Sequence, residues 1–223
     1  MNQRPSVEAV LFDFGGVFTT SPFEAFNRYE AEADLPRDFI RRLNASNADT
    51  NAWARLERSE LDVEQFSELF EAEAAAAGRR LDAGRVLACL SGRVRPEMVA
   101  ALERIKARYK TACLTNNART GAGPGMAREP EVVAEIARIM TRFDVVVESS
   151  KVGIRKPEPR FYEIACEALG VAPARAVYLD DLGVNLKPAR AMGMATIKVT
   201  TPAQALAELE AVLGMALWLI ARR

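Results

Sequence analysis

Apolar residues in this chain gather in short runs separated by longer amphipathic stretches, and the order of the two carries the fold. Ala9–Phe12 is a continuous apolar run that stops at Asp13 and is followed by Gly15 and Gly16. A short apolar run bounded by turn residues predicts a strand covered on both faces of a parallel sheet. The glycines after its terminal carboxylate permit a sharp turn or a close backbone approach. Past a turn at 19–22, with Pro22 at an early helical position, no strand is expected up to about residue 90. Helical spacing predicts helices over 23–33, 36–44, 52–58, 63–78 and 83–90 instead. In the fourth, Val63, Phe66, Leu69 and Phe70 share a face, and Asp62 with Gln65 forms a capping box. From residue 96 the two patterns alternate. Helices are predicted over 96–108, 131–142, 159–170, 185–192 and 202–213, and strands over 111–115, 144–148, 176–179 and 195–199. Alternation of this kind implies an α/β fold, a parallel sheet with right-handed crossovers. The helical stretch after the first strand is too long to be a loop and is expected to be an inserted domain. The expected division is a core of residues 1–18 and 93–223 around a helical domain of residues 19–92.

Composition narrows the chemistry. The chain has 223 residues, 49% of them hydrophobic, enough for one sizeable core plus the insertion. Lys plus Arg and Asp plus Glu are both 30, so no nucleic-acid or polyanion partner is expected. Cys89, Cys113 and Cys166 lie far apart in apolar surroundings, as buried free thiols of a reducing compartment do. The start of the chain is polar, and the apolar run behind it is too short for a signal peptide. No stretch has the length of a membrane span, so a cytoplasmic protein is expected. Histidine is absent. That excludes Ser-His and Cys-His nucleophile pairs and His-ligated zinc. Catalysis must run on carboxylates, lysine, hydroxyls, backbone dipoles or a hard cation.

Polar residues sit at or just after four strand ends: Asp13, Thr115-Asn116, the loop 151–157 with Lys156, and Asp180-Asp181. In a parallel sheet all carboxyl ends share one edge, where ligands bind. The chemistry that fits is phosphoryl transfer through an aspartyl phosphate, with one carboxylate attacking phosphorus. Mg²⁺ would take oxygen ligands from Asp13, Asp181 and a backbone carbonyl. A hydroxyl and nearby amides would hold the transferred group, and a lysine would offset its charge and keep the nucleophile ionised.

These residues resemble the motifs of the haloacid dehalogenase superfamily, in the branch with a helical cap inserted after the first motif. The matching segments are hydrophobic-Asp-x-x-Gly-Val at Asp13, Leu114-Thr115-Asn116, Lys156 in Lys-Pro-Glu-Pro-Arg-Phe-Tyr, and residues 178–185 around Asp180-Asp181. Residues 143–213 are most similar to the N-terminal phosphatase domain of soluble epoxide hydrolases. The resemblance implies a Rossmann-like core, a small phosphorylated substrate and Mg²⁺. It implies Asp13 as nucleophile, Thr115 as the phosphate-binding hydroxyl, and Asn116 and Lys156 as further substrate contacts. Asp181 and the Gly15 carbonyl would be metal ligands. Asp180 would contact the metal's waters or Lys156, and Asn185 stands where many relatives place a further Asp.

One departure matters. Most phosphatases of that family carry a second Asp, the general acid and base, at the position of Gly15. General acid-base help contributes about 10²–10⁴-fold. Three outcomes follow: a slow phosphatase or one that borrows a proton donor, a dehalogenase-like hydrolase, or a phospho-ligand binding or regulatory module. Trp53 is a candidate pocket residue, with cap core as the alternative. Arg119 and the glycines at 121, 123 and 125 would close over the site or form a mobile surface loop. The apolar tail 215–221 is expected to be a helical turn packed on the core, with a homodimer contact as the alternative.

Overall fold

A computed structural model describes residues 6–119 and 123–217. Its elements, in chain order, are β1 (Ala9–Phe12), α1 (Phe23–Glu32), α2 (Phe39–Ala45), α3 (Ala52–Glu57), α4 (Val63–Ala76), α5 (Ala83–Ala88) and α6 (Pro96–Lys106). Then come β2 (Lys110–Thr115), α7 (Pro130–Met140), β3 (Val145–Glu148), α8 (Ser149–Val152), α9 (Pro159–Leu169), a 3-10 turn at Pro173–Arg175, β4 (Ala176–Asp180), α10 (Gly183–Ala191), β5 (Ala195–Lys198) and α11 (Pro202–Leu213).

The strands form one parallel sheet in the order β3-β2-β1-β4-β5, with β1 at its centre. Every residue of β1 is buried, because helices cover both faces. Strand alternation sorts the side chains. Val10 and Phe12 join Cys113, Val177 and Leu179 under α6, α7 and α11. Ala9 and Leu11 join Ala112, Leu114 and Tyr178 under α9 and α10. The order reverses at β1, so loops after β1, β2 and β4 diverge around a crevice at the carboxyl edge.

Helices α1 to α5 pack around a core of their own that includes Phe26, Ile40, Phe66 and Phe70. The chain leaves the sheet and returns to it side by side. Thr19 and Val94 form an antiparallel bridge, flanked by Thr20 N–H to Arg93 O at 2.9 Å and Arg95 N–H to Phe18 O at 2.8 Å. The capping box of α4 forms as its sequence predicts, with Gln65 N–H donating to Asp62 Oδ1 at 2.8 Å and Asp62 N–H to Gln65 Oε1 at 3.1 Å.

Departures from the pattern have local causes. Helix α2 starts at Phe39 rather than 36, because Asp38 adopts a left-handed φ of 59°. The buried Glu30 carboxylate caps that start, accepting from Asp38 N–H at 2.7 Å and Ile40 N–H at 2.8 Å. This cap comes from a neighbouring helix, so no local spacing announces it. Strand β4 runs one residue further than expected and ends in Asp180, whose carbonyl accepts from Val199 N–H at 3.0 Å. The tail does not continue as a helix over the described residues, since Gly214 ends α11 at φ 65°. Leu217 is buried on the core, and its N–H donates to Glu210 at 2.6 Å. Residues 218–221 of that expectation lie outside the described residues.

Candidate active site

Asp13 follows the last residue of β1, and its N–H donates to Leu179 O of β4 at 2.8 Å. Lys156 enters from the loop before α9, its backbone joined to Pro157 by a cis peptide. Its ammonium is 1% exposed and lies 2.7 Å from Asp13 Oδ1 and 3.0 Å from Asp180 Oδ2. Burial alone would lower the Lys156 pKa, but the carboxylates of Asp13 and Asp180 outweigh it and hold the ammonium charged well above the ordinary lysine value.

Asp180 is fully buried and its two oxygens are occupied by the protein. Oδ2 accepts from Lys156 and from the Tyr178 hydroxyl, Oδ1 from Leu182 N–H at 2.7 Å, and Asn185 Nδ2 reaches both at 3.0 and 3.1 Å. Of its two expected roles, anchoring Lys156 is the one these contacts fill, although Asp180 belongs to the carboxylate cluster. Asn185 supports Asp180 through its Nδ2 and also lines the cavity, and its backbone carbonyl accepts from the Tyr162 hydroxyl at 2.7 Å.

Asp181 is oriented differently. Its Oδ2 accepts from Ser21 Oγ at 3.2 Å and presses against the backbone of Gly16. A Cβ on Gly16 would lie 2.1 Å from that oxygen, at a φ of +75°. Only glycine meets both demands. Gly15 is the opposite case: it lines the cavity, its φ is not left-handed, and a Cβ there would meet nothing within 4 Å.

Carboxylate oxygens of Asp13, Asp180 and Asp181 lie within 4.8 Å of one another, opposed by one lysine. Burial, and then the neighbouring carboxylates, push Asp13 well above the ordinary carboxylate range against the pull of Lys156. Burial and Asp180 push Asp181 to about 6, partly offset by Lys156 and the Ser21 hydroxyl. A hard, all-oxygen donor set with excess negative charge suits a divalent cation such as Mg²⁺. Asp13 and Asp181 are the carboxylates with oxygen capacity left to hold it.

Between the ordinary carboxylate value and about 6, folded Asp181 holds a proton that the unfolded chain has released. Metal-free stability therefore falls as pH rises through that window, by at most about 3 kcal/mol from this group. Asp13 acts in the same direction. The Mg²⁺-induced rise in melting temperature is expected to be larger at pH near 7.5 than near 5, read by differential scanning fluorimetry with and without EDTA. An equal rise at both would remove the cluster as the cation site.

The crevice opens into a cavity of about 630 Å³ between the sheet edge and the helical insertion. Asp13, Gly15, Thr115, Lys156 and Asp181 line one end, and Phe23, Phe26, Trp53 and Leu56 line walls from the insertion. Thr115 is buried, with Oγ1 3.5 Å from Pro124 O. Asn116 lines the cavity, and its side chain holds the Lys156 backbone, accepting its N–H at 2.9 Å and donating to its carbonyl at 3.1 Å. Trp53 meets both the cavity and the core of the insertion. It lines the cavity and packs on Phe66 and Phe70 at centroid distances of 5.2 and 5.7 Å. In the glycine-rich loop, Pro124, Gly125 and Met126 line the cavity, whereas Arg119 donates to Ser150 O at 2.9 Å away from it. Gly121 lies outside the described residues.

Sequence spacing overlooked Ser21, Tyr178, Arg155 and Glu57. The period of β4 places Tyr178 and Asp180 on one face, and Glu57 stands one helical turn after Trp53. Nothing local signals Ser21 or Arg155, whose partners lie 160 and 98 residues away.

Residues 7–193 match the family model described as haloacid dehalogenase-like hydrolase. The chain is 34% identical over 96% of its length to mouse acyl-CoA dehydrogenase family member 10, and 31% identical over 94% to mouse bifunctional epoxide hydrolase 2. It spans only 20% and 39% of those two proteins. It is also 28% identical to phosphatase MT3486 of Mycobacterium tuberculosis, over 85% of both chains. Among solved structures it resembles a family enzyme of Bacteroides thetaiotaomicron crystallised with magnesium and inorganic phosphate. That likeness has a TM-score of 0.59 at 14% identity, covering 92% of this chain and 99% of that one.

Proposed function

The chain belongs to the haloacid dehalogenase-like hydrolases, and within that family we propose that it is a Mg²⁺-dependent phosphomonoesterase working through an aspartyl phosphate. The observation that carries this reading is the placement of Lys156 between Asp13 and Asp180, with Asp181 alongside, at one end of the cavity. Asp13 attacks phosphorus through its carboxylate, whose ionised form Lys156 and a bound cation both favour against the burial and the neighbouring carboxylates that raise its pKa, and the ester oxygen leaves. Water then cleaves the acyl phosphate and regenerates Asp13. The Thr115 hydroxyl and Lys156 hold the phosphoryl oxygens, and Asn116 fixes the Lys156 backbone. Asp13, Asp181 and the Gly15 carbonyl would hold the cation, which supplies positive charge against the phosphoryl oxygens. Relatives named as phosphatases, and a neighbouring fold solved with magnesium and phosphate, support the same reading.

Residues 19–92 act as a cap over the sheet edge, closing the cavity against water. Its walls are mostly apolar, which favours esters of apolar alcohols over those of sugars. Three free cysteines fit a reducing, cytoplasmic setting. Because Gly15 brings no acid, esters with good leaving groups should turn over fastest.

A panel of aryl, apolar alkyl and sugar phosphates, assayed for phosphate release with Mg²⁺ and with EDTA, tests the proposal. Release that requires Mg²⁺ and ranks aryl esters first is the expected result. The missing acid at Gly15 also suits two other readings. Metal-independent halide release from 2-haloacids would establish a dehalogenase, and binding without turnover a phospho-ligand module.

A further inference from the structure

One carboxylate crosses from the helical insertion to the loops that present Lys156. Glu57 is the last residue of α3, and its side chain is only 12% exposed. Its Oε2 accepts from Arg155 Nε at 2.5 Å and from Asn116 Nδ2 at 3.0 Å. Its Oε1 accepts from Trp53 Nε1 at 3.1 Å. Both core donors adjoin Lys156. Arg155 precedes it in the chain and also donates to Ala48 O of the insertion at 3.1 Å. Asn116 grips the Lys156 backbone from both sides, through the N–H at 2.9 Å and the carbonyl at 3.1 Å.

We propose that Glu57 is a positioning residue, a latch carried by the insertion that fixes Asn116 and Arg155 and through them sets the Lys156 ammonium against Asp13. The inference rests on the reading of Lys156 as the lysine of the phosphoryl site. Charge-assisted hydrogen bonds are roughly twice as strong as neutral ones, and Glu57 concentrates two donors on one oxygen. Glu57 and Arg155 are both mostly buried, so truncating one of them leaves the other charge without its ionic partner. Asn116 Nδ2 serves Glu57 and the Lys156 carbonyl together. When the insertion lifts, Asn116 loses the contact that holds its amide in place. The Lys156 loop is therefore tightest when the insertion is closed over bound substrate, and closure and assembly of the site become one event.

The test is a double-mutant cycle on Glu57→Gln and Arg155→Gln, with kcat and KM measured per folded enzyme on the best ester of the panel. Each single change is expected to lower kcat by up to about 100-fold with KM little changed, because the lysine is misplaced rather than lost. The double variant is expected to be no worse than the weaker single, since both remove one contact. Amide hydrogen exchange gives a readout that needs no turnover. In Glu57→Gln, the peptides carrying Asn116 and Lys156 should exchange faster while β1 and β4 stay protected. Wild-type kcat in Glu57→Gln, singles whose losses multiply in the double, or unchanged exchange at Lys156 would overturn the latch. Should Glu57→Gln fail to fold, Glu57→Asp carries the same test, since it keeps the charge but withdraws the oxygens. If the wild-type enzyme releases phosphate from no ester, the phosphatase reading falls, and the exchange experiment still decides the latch.

Discussion

Asp13→Asn is expected to abolish turnover and to leave the fold intact. Asn keeps the shape of the side chain and an oxygen for the Phe14 N–H, which lies 2.6 Å from Asp13 Oδ1. It has no charge with which to attack phosphorus. Loss of a covalent nucleophile is expected to cost at least about 10⁴-fold in kcat, on the scale seen when one member of a covalent catalytic set is removed. Lys156 retains Asp180 as its partner at 3.0 Å, so no buried cation is orphaned. The variant also relieves one of three crowded carboxylates. Its metal-free melting temperature should equal or exceed that of the wild type. Steady-state phosphate release and a thermal melt check both halves. Undiminished turnover would remove Asp13 from the nucleophile's role, and a collapsed melt would show that Asp13 is needed for folding.

Gly15→Asp should raise turnover by about 10²–10⁴-fold if proton donation to the leaving group limits the rate. The backbone allows it: the φ of Gly15 is not left-handed, a Cβ there meets nothing within 4 Å, and the residue faces the cavity. The gain should be largest for alkyl esters, whose alkoxides leave poorly without a proton, and smallest for activated aryl esters. A kcat series over leaving-group pKa separates these cases. A uniform absence of gain would place the slow step elsewhere, in closure or product release. Gly16→Ala is the contrasting control. At Gly16 a side chain would run into the Asp181 carboxylate at 2.1 Å on a left-handed backbone, so that substitution should impair any step that uses Asp181. Two adjacent glycines thus differ in kind, one held by sterics and one leaving space for a missing acid.

The chain's local pattern was sufficient for the framework. Four apolar residues between polar flanks can be buried on both faces only in a covered sheet, and alternation with amphipathic helices makes that sheet parallel. Asp13, Thr115 and Asp180-Asp181 were legible because each stands at the end of such a run, and Lys156 because it comes shortly after β3, although the short helix α8 takes up the start of the expected loop 151–157. Strand ends in a parallel sheet share an edge, so order along the chain became proximity in space. The capping box of α4 was legible for a similar reason, since its two halves are three residues apart.

What only the tertiary structure decided is which partner each of those groups takes. Asp180 and Asp181 are neighbours in sequence, yet one is enclosed by Lys156, Tyr178 and Asn185, and the other rests against Gly16 and Ser21. The start of α2 is set by Glu30 from another helix, and the Glu57 latch joins residues 98 positions apart. Spacing along a chain constrains groups within a helical turn or a strand's alternation. It carries no information about pairs brought together by packing, because that geometry is fixed by the whole core at once.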